Sequence, residues 1–347
     1  MKPNASSEAA GPAVLVVQTS FLGDVVLITP LLSALRRRLA PRRLAVLLRP
    51  DAVPLLAGHP DVDDILTDDK RGAERGLRGL WRSARRLRRE RFDIAVSPHK
   101  SWRTALLLAA SGIPRRVGFR QARGAFLYHE HVERDVGRHD VERNLALAAP
   151  FGGPQEAPCL HLPVTPEAAA RAAVLLPARG ERLVGIAPGS VWRTKRWLPR
   201  GFAGVIRGLA SDGVRCVLLG APHERALADE INTLAGGSAI VLAGQTELAT
   251  LVAVIDRLAV LVCNDSAPMH IASALQVPVV AIFCSTTPAQ GYGPYGRHAT
   301  VVEADLACRP CGRHGGEVCP LGTDACMHLV ESAGVLAATR AMLAGKT

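Results

Sequence analysis

Residues 13–39 read AVLVVQTSFLGDVVLITPLLSALRRRL. The first five, Ala13–Val17, form an unbroken aliphatic run with the length of a strand buried on both faces. From Val25 onward the period changes: Ile28, Leu31, Leu32, Leu35 and Leu39 fall on one side of a helix. Pro30 has no N–H, so a helix over 24–39 either kinks there or starts close to it. Between strand and helix lies QTSFLGD, residues 18–24. A turn built on Ser20, Gly23 and Asp24 suits a plain connection, a phosphate cradle or the seat of a catalytic base.

The same rhythm continues along the chain. Strand candidates in the first half are 13–17, 43–48, 62–66, 93–97 and 115–119, with amphipathic runs between them. Residues 152–167 (GGPQEAPCLHLPVTPE) lapse into proline-rich coil and read as a linker. The rhythm then restarts, with strands expected at 183–187, 214–219, 239–242, 259–263 and 278–283. Pro199 stands at a helix first turn, Gly213 at a helix stop, and Thr246 is placed to cap a helix over 247–257. The expected architecture is α/β: two Rossmann-like, doubly wound domains facing a cleft, over 13–165 and 166–347, behind a loose tail of residues 1–12. Ligands of such sheets lie beyond the carboxyl ends of the strands, so chemistry is sought in those loops.

Composition narrows the partners. The 347 residues are 48% hydrophobic and carry a formal charge of +11, which favours a nucleotide, a nucleic acid or an acidic membrane surface. The longest apolar stretch, 240–263, is broken by Gln245, Glu247, Asp256 and Arg257 and cannot span a bilayer. The N-terminus lacks the apolar core of a signal peptide, which places the protein in the cytoplasm. Reduced thiols are the rule there, so the eight cysteines need a reason other than disulfides.

Three loops of the second half carry candidate chemistry. After 183–187 comes PGSVWRTKRW, where Gly189 and Ser190 precede Arg193, Lys195 and Arg196. Small residues followed by cations suit a diphosphate, although the spacing is not that of a Walker loop. After 214–219 comes GAPHE, whose Glu224 suits either ribose hydroxyls or the first turn of a helix. After 259–263 comes NDSAPMHIASAL: Asp265, Ser266 and His270 open an otherwise apolar helix whose free N–H groups attract anions. Asp265 alone would also serve as a helix cap, and His270 as a core histidine.

Together QTSFLGDVVLITPLL, APGSVWRTKRW, GAPHE, NDSAPMHIASAL and GYGPYG resemble, in order and over nearly the whole chain, the ADP-heptose:lipopolysaccharide heptosyltransferases. These are the family-9 glycosyltransferases, and the resemblance is strongest to the heptosyltransferase II branch. It implies a GT-B fold and inverting transfer from ADP-heptose to the lipopolysaccharide inner core, with no cofactor required for catalysis. By motif, Asp24 would be the catalytic base, and Ser190 and Lys195 would hold the diphosphate. Glu224 would hold the ribose, and Asp265, Ser266 and the amides after them, with His270 in the same helix, would bind the donor's heptose and phosphates. Ala267 stands where the family often has Gly, and its methyl would crowd a close phosphate approach. In the first half, Ser20 and Gly23 would meet the acceptor. SPHKSWRT (97–104) would present His99, Lys100, Ser101 and Arg103 to its carboxylates and phosphates. Such an enzyme would sit peripherally on the inner membrane and would not bind nucleic acid.

Two features stay outside these motifs. Residues 71–91 hold nine arginines interleaved with apolar residues at helical spacing, which fits a solvated helix or attraction to an anionic membrane. Cys308, Cys311, Cys319 and Cys326 have the spacing C-x2-C-x7-C-x6-C, which suits a structural zinc site or four reduced thiols. Rival functions are another nucleotide-sugar transferase or epimerase, and a non-catalytic basic module that binds membrane. A nicotinamide dehydrogenase is disfavoured, because neither half has G-x-G-x-x-G at its first strand–helix turn.

Overall fold

The computed structural model describes residues 11–153, 159–178 and 180–345. Most of the tail and the centre of the proline-rich linker therefore lie outside the described residues. The chain divides into two compact units, 1–159 and 160–347.

In the first unit the strands are β1 (Ala13–Val17), β2 (Arg43–Leu48), β3 (Asp64–Thr67), β4 (Ile94–Ser97), β5 (Arg115–Phe119) and β6 (Glu130–Val132). The helices are α1 (Leu22–Val26), α2 (Thr29–Leu39), α3 (Val53–Leu56), α4 (Gly76–Arg89), α5 (Trp102–Ala110) and α6 (Asp140–Leu145). All strands run parallel in the order β3-β2-β1-β4-β5-β6. Every residue of β1 is buried, as a central parallel strand covered on both faces requires.

The helix expected over 24–39 is two helices. Pro30 occupies the first turn of α2, where a missing N–H costs nothing, and the buried Thr29 hydroxyl donates to the Val26 carbonyl (2.9 Å), closing α1. Proline has started a helix here instead of bending one.

The second unit repeats the plan. Its strands are β7 (Leu183–Ala187), β8 (Arg215–Leu218), β9 (Ala239–Val241), β10 (Val260–Asn264), β11 (Val279–Phe283) and β12 (Ala299–Glu303). Its helices are α7 (Pro166–Leu175), α8 (Pro199–Ser211), α9 (Arg225–Leu234), α10 (Leu248–Asp256), α11 (Ala267–Ala274), α12 (Ala325–His328) and α13 (Ser332–Leu343). The parallel order is β9-β8-β7-β10-β11-β12. Numbered within its own unit, each sheet therefore reads 3-2-1-4-5-6, the Rossmann order. Trp197, Phe202, Ile206, Ile231 and Val335 are among the residues filling one core on the α8 side. Pro199 and Gly213 take the expected positions, Gly213 with φ +74° just past the end of α8. Thr246 does not cap α10: the N-cap position is Glu247, and no side chain closes it.

Candidate active site

In a sheet of this order the chain turns away on opposite sides after its first and fourth strands, leaving a crevice between their carboxyl ends. In the first unit these are β1 and β4, so QTSFLGD and SPHKS flank one crevice. In the second they are β7 and β10, so PGSVWRTK and DSAP flank another.

At the first crevice the buried Thr19 hydroxyl lies 3.1 Å from His99 Nδ1, which lies 2.8 Å from Thr104 Oγ1. Ser101 caps α5, accepting from the Thr104 N–H at 3.2 Å. Burial, with Lys70 and Lys100 close by, pushes His99 down to about 3, so its imidazole is neutral at physiological pH. Lys70 Nζ donates to Thr19 Oγ1 (3.3 Å), and Arg49 donates to the Ser20 carbonyl (3.2 Å). Burial holds the Lys70 ammonium below its usual range, and the neighbouring Arg49 adds to this.

Asp24 lies in the first turn of α1, beside the buried Gly23. Its Oδ2 accepts the Phe21 N–H at 3.2 Å, and the Ser20 side chain also bonds to the carboxylate. Burial, then repulsion from Asp140, pushes this carboxyl up to about 6, against the smaller opposing pull of those hydrogen bonds and of Lys100. Asp140 is itself buried and bound by Arg134, Arg143 and Asn144. Arg103 points elsewhere. It pairs with the buried Asp68 (2.9 Å) and donates to the Glu74 and Gly76 carbonyls, tying the start of α4 to α5.

At the second crevice Lys195 Nζ lies 2.6 Å from Asp265 Oδ2, which also accepts from Thr286 Oγ1 at 2.7 Å. Asp265 thus forms an ion pair and does not cap α11. The buried Ser190 hydroxyl donates to the Asp265 carbonyl (3.4 Å). Ser266 holds the N-cap position of α11 with an extended backbone, but its hydroxyl turns back to the Asn264 carbonyl (3.3 Å). The first amides of α11 are therefore not capped by that side chain. Ala267 is the first helical residue, half-buried, and His270 is buried one turn on. Glu224 Oε2 accepts the Ala221 N–H (2.8 Å) and packs on Gly189, where an added Cβ would stand 1.8 Å from Glu224 Oε1.

Several residues of these crevices escape sequence reasoning. Asn264, fully buried, accepts from the Trp197 N–H (3.0 Å) and donates to the Pro188 carbonyl (2.7 Å), locking the two loops together. Its only signal is an amide at the end of the aliphatic run VLVC. Thr19 lies within QTSFLGD but carries no signal beside Ser20, Gly23 and Asp24, and Arg49, Lys70 and Asp140 lie in segments with no distinctive spacing.

The cysteine loop supports the second crevice. The Cys311 N–H donates to the Ser285 carbonyl (2.8 Å), the Gly316 N–H to Thr194 Oγ1 (2.8 Å), and Arg193 holds Asp324 at 3.0 and 3.1 Å. Among the described residues no three His, Cys, Asp or Glu side chains converge as metal ligands. A structural zinc over these four cysteines is therefore not confirmed; Cys308 is exposed and Cys326 is buried. All four are free thiols.

Residues 80–319 match the family model for glycosyltransferase family 9 (heptosyltransferase). The chain belongs to glycosyltransferase family 9. This family-9 chain is 28% identical over 277 residues to lipopolysaccharide heptosyltransferase 3 of Escherichia coli K12, covering 76% of this chain and 80% of that one. It is also 28% identical over 297 residues to lipopolysaccharide heptosyltransferase 2 of Salmonella typhimurium, covering 79% and 83%. Among solved structures, a family-9 glycosyltransferase of Veillonella parvula superposes with TM-score 0.86 at 23% identity, covering 96% and 98%. The E. coli ADP-heptose LPS heptosyltransferase II superposes at 0.81 with 25% identity, covering 96% and 99%. Two Rossmann units in one family-9 chain make the GT-B fold, and the protein is a glycosyltransferase.

Proposed function

We propose that this enzyme transfers heptose from ADP-heptose to the inner core of lipopolysaccharide with inversion at the anomeric carbon. The first unit binds the acceptor and the second the donor. The observation that carries the reading is Asp24: a half-buried carboxylate at the first crevice whose pKa, about 6, suits a base near neutral pH.

Asp24 takes the proton of the acceptor hydroxyl as that oxygen attacks C1. The bond from C1 to the diphosphate breaks on the opposite face, and ADP leaves with the electron pair. Negative charge then grows on the diphosphate, where Lys195, Ser190 and the first amides of α11 stabilise it. Glu224 binds the ribose, and Asp265 with Ser266 the heptose. The Ala267 methyl sets how near the diphosphate comes to α11. In the acceptor unit Ser20 and Gly23 border the sugar, and neutral His99 donates or accepts without competing for the proton. Lys100 and Lys70 face the acceptor's anionic groups, while Arg103 serves the scaffold.

The enzyme works in the cytoplasm, peripherally on the inner membrane, where its lipid-borne acceptor resides; among the described residues no helix is long and apolar enough to cross a membrane. A zinc in the cysteine loop has only the spacing in its support, and elemental analysis of the purified protein decides it. The function is tested by incubating the protein with ADP-heptose and lipopolysaccharide truncated at successive core sugars. One acceptor gaining a single heptose, with release of ADP, is the expected result. Transfer only from a uridine-linked sugar, or donor hydrolysis without transfer, overturns the reading.

A further inference from the structure

Helix α4 has two dissimilar faces. Gly79, Leu80, Ser83, Ala84 and Leu87 are buried. The other face carries Leu77, 74% exposed, and Trp81, 56% exposed, four residues apart and so on one stripe. Around them Arg78, Arg82, Arg85, Arg88 and Arg89 are exposed, and none is ion-paired with a carboxylate among the described residues.

The pattern continues next door. Arg103 binds the α5 N-terminus to the start of α4. There α5 presents Trp102 and Leu106, again four apart and exposed, and Trp102 stacks edge-on against Phe126 at 5.6 Å. Phe126 is 74% exposed. Isolated exposed apolar residues are ordinary, but five on neighbouring elements, rimmed by guanidinium groups that have no carboxylate partner among the described residues, are not explained by solubility.

We propose that α4 and the start of α5 dock this protein on an anionic lipid bilayer. Leu77, Trp81, Trp102, Leu106 and Phe126 enter the headgroup layer, and the arginines bind lipid phosphates. Tryptophan favours that layer because its ring is apolar and its N–H stays hydrated. The leucines fit acyl chains, whereas a nucleic acid would use only the aromatic faces. Lys70, at the first crevice, directly precedes the segment leading into α4, so a docked α4 holds the acceptor loops close to the lipid surface. The inference gives a surface to the membrane association proposed above and rests on it, not on the transfer chemistry.

The test is co-sedimentation of the full chain with vesicles of phosphatidylcholine alone or mixed with phosphatidylglycerol, at low and high salt. Binding should require the anionic lipid and weaken with salt. The paired variants Leu77→Ser/Trp81→Ser and Arg82→Ser/Arg85→Ser should each lower the partition coefficient at least about tenfold. Their thermal melts, and their transfer of heptose to an acyl-free soluble acceptor, should match the unaltered protein. If both pairs sediment like the unaltered protein, or if RNA binds in preference to vesicles, the surface is misassigned. Should the unaltered protein transfer no heptose yet the vesicle pattern hold, the docking surface stands and only the transferase reading fails.

Discussion

Lys195 Nζ and Asp265 Oδ2 lie 2.6 Å apart, joining the turn after β7 to the end of β10 across the second crevice. The lysine is therefore not an idle cation awaiting a diphosphate. One of its three protons is committed to a nearly buried carboxylate, and the others remain for the ligand. Replacing it as Lys195→Met leaves the Asp265 carboxylate, among the described residues, with the Thr286 hydroxyl as its side-chain partner. A stability loss of about 3–5 kcal/mol is expected in urea unfolding. Lys195→Met/Asp265→Asn should recover much of that loss, while ADP affinity in calorimetry stays at least about tenfold weaker in both variants.

The Glu224 carboxylate fills the space a side chain at position 189 would need. Gly189→Ala drives a methyl into the Glu224 carboxylate, 1.8 Å from Oε1 before relaxation. Glu224 must then leave its bond to the Ala221 N–H. We expect a stability loss of about 1–3 kcal/mol and weaker binding of ADP, with inorganic pyrophosphate binding less affected. Equal losses for both ligands would remove Glu224 from the ribose.

Thr194 carries the link between the cysteine loop and the turn after β7. Its hydroxyl donates to Ser285 Oγ (3.0 Å) and accepts the Gly316 N–H (2.8 Å). Thr194→Val leaves that amide unsatisfied, at a cost of about 1–3 kcal/mol. Hydrogen exchange should quicken over residues 311–317 and leave β7 unchanged.

How much of this was readable beforehand follows from burial. The central strands, aliphatic on both faces, stand out in the sequence within a residue or two: β1, β2, β7 and β11 are examples. The edge strands β6 and β12 escaped, although β3 and β9, which likewise lack a buried residue, did not; β6 is only three residues, EHV, too short and polar to stand out. The loops that would carry chemistry were legible because a polar residue ending a buried strand is conspicuous. Their internal pairings were not. Asp265 read equally as a cap until Lys195 and Thr286 were found on it, and Arg103 read as a ligand cation because Asp68 lies thirty-five residues away.

Asp24 also has a consequence for stability. Its pKa is about 6 in the folded protein and near 3.8 when unfolded, so the folded form binds this proton more tightly. The ionised group therefore costs stability above about pH 6 and nothing below pH 4, a difference of about 1–3 kcal/mol. Asp24→Asn, which still accepts the Phe21 N–H, should raise the melting temperature at neutral pH and converge with the unaltered protein in acid.

The rate of heptosyl transfer as a function of pH, compared between the unaltered protein and Asp24→Asn, tests the central claim most directly. The unaltered rate should fall off below about pH 6 as Asp24 takes up its proton. The variant, folded and at least as stable at neutral pH, should be slower by about two to four orders of magnitude and lack that limb. A folded Asp24→Asn that transfers heptose at the unaltered rate, with the same acid limb, contradicts it.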